Sequence, residues 1–124
     1  MDIDQEERKK RPRHESVRYH QGQAKSLFLE VELADRSLNA LVDTGATVSV
    51  IAKSIADSVE GKTKSERIAI KVGDGSTVWS LGTKELEFSI GNEKVIHEFL
   101  VLDQDMIELL LGMDLLDKRE FKGI

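Results

Sequence analysis

The chain has 124 residues, 40% of them apolar and 33% charged, the makeup of one small folded domain with no room for a second. Its net charge of −5 argues against nucleic-acid binding by the domain as a whole, because phosphate backbones are held by basic surfaces. With no cysteine, disulfides, thiolate catalysis and Cys-based metal sites are excluded; His14, His20 and His97 have no ligand spacing, so no metal or other cofactor is expected and His97 reads as an ordinary strand residue.

Residues 1–24 carry the only proline and almost no aliphatic periodicity, so they read as a flexible polar extension preceding a domain at 25–124. The run Lys9-Lys10-Arg11-Pro12-Arg13 is diluted by Glu6, Glu7 and Glu15 and reads as a solvated mixed-charge tail. The start is too charged for a signal peptide, and no apolar run approaches the ~20 residues that cross a bilayer. A soluble, intracellular and cytoplasmic protein that engages neither membrane nor nucleic acid is the expectation.

Leu27, Leu29, Val31 and Leu33 alternate with Phe28, Glu30 and Glu32, the period-two pattern of a strand with one buried face. Turn residues at 34–37 lead back into a second strand over 38–42, giving a hairpin. A small apolar strand over 46–51 and a short helix over 52–59 follow, and Gly61 closes the helix. Strands at 67–72 and 77–81 are joined across Gly73-Asp74-Gly75-Ser76, a turn of residues that accept positive φ. Leu86, Phe88 and Ile90 alternate with charged and polar neighbours, and Gly91-Asn92 turns the chain into 95–102. The fold class is mostly β. Residues 106–116 are ambiguous between one helix and a strand that breaks at Gly112. No internal repeat is visible, so the chain supplies one copy of whatever site it carries.

The chemistry concentrates in Leu41-Val42-Asp43-Thr44-Gly45-Ala46. A carboxylate at the end of an apolar strand is costly unless something uses it. Gly45 permits close backbone approach and Thr44 offers a hydroxyl to hold it. Asp43 as a plain turn residue is the bland alternative.

This segment resembles the active-site loop of the retropepsin-like aspartic proteases of retroviruses and retrotransposons, and two more features follow it in the order of that family. The turn at Gly73-Asp74-Gly75-Ser76, followed by Trp79 and Gly82, is similar to the flap. The run Leu109-Leu110-Leu111-Gly112-Met113-Asp114-Leu115-Leu116 is similar to the apolar-Leu-Gly-x-Asp-apolar-Leu segment that packs beneath the active-site loop. Met113 stands where many retroviral enzymes carry an arginine, which aligns the chain with retrotransposon and cellular relatives.

The resemblance implies a closed β-barrel with a flap hairpin and one short C-terminal helix from about Met113, working as a homodimer. It implies an aspartic endopeptidase acting on extended polypeptide segments, with Asp43 catalytic and Thr44, Gly45 and Ala46 supporting the loop. Val48, Val50, Gly73, Asp74, Gly75 and Ser76 would meet substrate, and Gly112 and Asp114 would be structural, Asp114 as a helix cap. Asp74 reads as a turn-former rather than an acid. Trp79 reads either as core packing or as a substrate contact. Phe121 and Ile124 are the expected apolar contacts of an interleaved interface strand. The competing function is a catalytically silent dimerisation or protein-binding module on the same fold.

Overall fold

The computed structural model describes residues 13–16, 27–71 and 75–118. The first hairpin pairs Leu27–Leu33 (β2) antiparallel with Arg36–Val42 (β3), Leu33 opposite Arg36. Two residues make the turn, Ala34 at φ 49° and Asp35 at φ 65°, both left-handed, as the twist of a tight hairpin requires. The strand therefore begins two residues earlier than the sequence suggested. Because side chains alternate across a strand, Val31, Leu33, Leu38 and Ala40 are buried, while Glu30, Glu32 and Asn39 face out.

The apolar stretch after Asp43 yields only Val50–Ala52 (β4), not a strand over 46–51. Residues before it spend their polar groups elsewhere: Ala46 O accepts from Met113 N at 2.8 Å and Ser49 Oγ accepts from Gly112 N at 2.9 Å. Lys53–Asp57 (α1) is shorter than the expected 52–59. Its end is held by the buried ammonium of Lys84, which donates to Ala56 O and Val59 O at 2.6 Å each.

Ile68–Lys71 (β5) and Thr77–Trp79 (β6) pair antiparallel, as expected of two strands joined by a turn, within the expected bounds of 67–72 and 77–81. Arg13–Ser16 (β1), which the sequence placed within the polar extension, runs parallel to β5 and completes a three-stranded sheet in the order β1-β5-β6. Composition is silent on such a strand, because backbone groups at an open sheet edge recruit it with little demand on side chains.

Gly82–Ile90 (β7) and Glu93–Leu102 (β8) form the longest hairpin, turning at Gly91-Asn92 with Ile90 opposite Glu93. Leu109–Leu111 (β9) is a strand and Met113–Leu116 (α2) a short helix, which resolves the ambiguity over 106–116. The barrel closes in the order β2-β3-β9-β4-β8-β7, with Glu32 opposite Ser89 at the seam. No helix among the described residues is long and apolar enough to cross a membrane.

Buried side chains divide into two clusters. Inside the barrel are Val31, Leu33, Ile51, Phe88, Phe99, Leu109, Leu111 and Leu115, with the Phe88 and Phe99 rings edge to face at 5.6 Å. The second cluster joins the barrel to β5 through Ala46, Val48, Val50, Ile68, Ile70, Leu100, Leu102 and Leu110. The triple leucine is explained by this division: Leu109 and Leu111 point into one cluster and Leu110 into the other, so the strand is covered on both faces.

Candidate active site

Asp43 is the first residue beyond β3, and its N–H donates to Leu111 O at 3.0 Å, which extends the β3–β9 pairing by one step. The chain then turns back on itself, Ala46 N donating to Asp43 O at 3.1 Å and Gly45 N to Asp43 Oδ1 at 2.9 Å. The turn buries its acid: Asp43 is 2% exposed and Ala46 is wholly covered, whereas Thr44, Gly45 and Thr47 are exposed. A buried carboxylate thus sits behind an exposed threonine and glycine, a face open to a second surface.

The loop is fixed from beneath by the segment that enters α2. Gly112 lies so close that a Cβ there would stand 2.4 Å from Val48 O and 3.0 Å from Ala46 O. Only glycine permits that approach. Asp114 does not cap the helix in the expected manner, because Gly112 occupies the N-cap position and no side chain bonds there. Its carboxylate does accept from Leu115 N at 2.8 Å, but its other bonds cross the fold to Ser49 Oγ at 2.7 Å, Ser49 N at 3.2 Å and His97 Nε2 at 2.8 Å. Burial disfavours the Asp114 charge, yet the bonds from His97 and Ser49 outweigh it and hold the carboxyl below its ordinary pKa.

Ser49 and Lys84 are buried polar residues that sequence reasoning passed over, and His97, read there as an ordinary strand residue, bonds to Asp114. A signal existed for His97, since Val95, His97 and Phe99 share one face of β8 and two of the three are plainly apolar. Ser49, buried among Val48, Val50 and Ile51, was visible in the same way.

Val48 and Val50, assigned to substrate pockets, are 4% and 1% exposed and pack in the second cluster. Gly75 and Ser76 are exposed on the β5–β6 hairpin, with Gly75 at φ 89°, while Gly73 and Asp74 lie outside the described residues. Trp79 is not a core residue: it is 38% exposed on β6, with the Arg67 guanidinium 4.1 Å over its ring. Phe121 and Ile124, assigned to an interface strand, also lie outside the described residues. Among the described residues no three His, Asp or Glu side chains gather as a metal site would.

Solved structures share this arrangement of strands. EIAV protease in complex with the inhibitor HBY-793 superposes at a TM-score of 0.64 with 24% identity, covering 80% of this chain and 92% of that one. Simian foamy virus (mac) protease gives 0.53 with 23% identity over 73% and 92% of the two chains. The retroviral protease-like domain of Ddi1 from Leishmania major gives 0.58 with 18% identity over 77% and 78%. At these identities the likeness is one of fold. The family model described as gag-polyprotein putative aspartyl protease matches residues 29–118, from within β2 to just past α2, and the chain belongs to that retropepsin-like aspartic protease family.

Proposed function

We propose that this chain is one half of an aspartic endopeptidase, active when two copies bring their Asp43 carboxylates together. The observation that carries the reading is the Asp43 turn itself: a carboxylate 2% exposed that accepts from Gly45 N, on a backbone whose own N–H donates to Leu111 O, with Thr44 and Gly45 left open beside it. A buried acid held this firmly at a strand end has little structural purpose. Thr44 is the residue placed to reach the matching loop of a second copy.

Two carboxylates brought face to face cannot both ionise at low cost, so the pair retains one proton, the established behaviour of aspartic-protease dyads. The ionised member takes a proton from a bound water as that water attacks the scissile carbonyl carbon. The protonated member donates to the carbonyl oxygen. The resulting tetrahedral species collapses with proton transfer to the leaving nitrogen, breaking the C–N bond with no covalent enzyme intermediate.

The β5–β6 hairpin, with its exposed Gly75 and Ser76, acts as the flap, and an extended peptide lies beneath it adding strand-like hydrogen bonds. Val48 and Val50 form the floor that the pockets rest on, since both are covered within a single chain. The same fold serving as a silent binding module would not require the acid. The test is cleavage of an apolar peptide library by the wild-type chain with and without a statine-type inhibitor. Cleavage that the inhibitor stops supports the enzyme; no cleavage at any protein concentration supports the silent module.

A further inference from the structure

We infer that His97 is a positioning residue for the Asp43 loop, acting through Asp114 and Ser49. The inference deepens the proteolytic reading and rests on it where catalysis is concerned.

The residues form a chain of contacts from β8 to the loop. His97 Nε2 lies 2.8 Å from Asp114 Oδ2, Asp114 accepts from Ser49 through both its N–H and its hydroxyl, and Ser49 Oγ in turn accepts from Gly112 N at 2.9 Å. Ser49 is wholly buried and follows Asp43 in the same irregular segment, before β4 begins. The order of groups excludes nucleophilic chemistry. The Ser49 hydroxyl proton points at the carboxylate, not at the imidazole, so no base stands ready to activate the oxygen.

The tautomer of His97 follows from its surroundings. The residue is 8% exposed, its ring stands edge-on to Phe99 at 5.5 Å, and its Nδ1 is buried with no partner among the described residues. A proton on Nδ1 would be a buried donor with nothing to accept it, whereas a proton on Nε2 goes to the Asp114 carboxylate. The geometry therefore points to the Nε2–H tautomer, with His97 as donor.

Asp114 consequently receives four donors: His97, Ser49 twice and Leu115 N. On Oδ2 the other bond is the long one, 3.2 Å from Ser49 N. Removing His97 leaves that oxygen weakly held and frees the carboxylate to rotate. Ser49 would follow it, and with Ser49 the loop that presents Asp43. Small displacements of a reacting group cost rate well out of proportion to stability.

The experiment compares His97→Leu with His97→Gln in the full chain, at protein concentrations that saturate activity and temperatures at which both are folded. The amide of glutamine can offer an N–H at the reach of Nε2; leucine cannot. His97→Leu is expected to lower kcat about tenfold with KM changed less than about twofold, and His97→Gln to restore most of kcat. Amide exchange over residues 43–49 is expected to quicken in the leucine variant only. The wild-type imidazole 15N shifts should report Nε2 protonated.

Equal kcat in wild type and His97→Leu, equal losses in both variants, or a wild-type Nδ1–H tautomer would overturn the inference. If the wild type cleaves nothing, the proteolytic reading fails by itself. The amide exchange then decides the positioning claim, which unchanged protection in His97→Leu would overturn.

Discussion

Gly112→Ala tests the contact that seats the active-site loop. Its backbone, φ −98° and ψ −176°, suits alanine, so no conformational strain is added. The new methyl would meet Val48 O at 2.4 Å, Val48 C at 2.6 Å and Ala46 O at 3.0 Å, all main-chain atoms that no rotamer change can move aside. Relieving the clash requires the two segments to part by about 1 Å. That stretches the bonds from Gly112 N to Ser49 Oγ and from Met113 N to Ala46 O beyond useful length. Overpacking costs about 1–3 kcal/mol and each of the two lost hydrogen bonds about 1 kcal/mol, so a loss of roughly 3–5 kcal/mol is expected out of a total of about 5–15. In urea titrations, with m of about 2 kcal/mol/M, the midpoint should fall by roughly 1.5–2.5 M. Gly75→Ala is the contrast, since nothing lies within 4 Å of a Cβ there and only the φ of 89° opposes it, at about 1 kcal/mol. A midpoint for Gly112→Ala within about 0.3 M of wild type would refute the close approach.

Ala34→Gly should stabilise the chain by about 0.5–1 kcal/mol by relieving a non-glycine residue at φ 49°; a lower melting temperature would contradict the left-handed turn. Trp79→Ala should cost about 1–2 kcal/mol rather than the ~3–5 of a buried tryptophan, because the ring is part exposed and stacked under Arg67; a larger loss in urea would return it to the core. Asp114 has its pKa depressed in the folded chain, so its contribution to stability is complete above the unfolded carboxyl value of about 4 and drains away as pH falls through the lower folded value. Asp114→Asn should be less stable than wild type near neutrality, and the gap should narrow in acid; a gap that stays constant from pH 7 to about pH 2 would show that the carboxylate is not what the cluster needs.

Much of the fold was legible because strands with one wet face advertise it. Leu27 to Leu33, and Leu86 to Ile90, alternate cleanly in sequence, whereas periodicity left 106–116 open between helix and strand and only the resemblance placed a helix from about Met113. Residues 46–49 were misread as strand because apolar composition was taken for pairing. In the fold Ala46, Val48 and Ser49 are buried and Thr47 is exposed, and Ala46 O, Ser49 N and the Ser49 hydroxyl bond to 112–114. Arg13–Ser16 was missed for the opposite reason, a strand recruited by a backbone edge and not by its own side chains. Asp43, Gly112 and the turn at Gly75 stood out through chemistry that a chain rarely spends without cause. His97 and Ser49 did not, since one histidine and one serine in apolar runs look ordinary until three separate segments bring Asp114 between them.

The proposed enzyme takes an Asp43 from each of two chains into one active site. Titrating wild-type chain at fixed concentration with Asp43→Asn chain, after subunit exchange, while following peptide cleavage, puts that pairing to the test. The variant retains the size of the side chain and the Asp43 N–H bond to Leu111 O, so it should fold and pair as the wild type does. Asp43→Asn alone should be inactive, and its excess should drive wild-type activity towards zero, as wild-type chains become trapped with partners lacking the second carboxylate. Activity that stays constant through the titration, with mixed dimers demonstrated by sedimentation, would contradict the shared site.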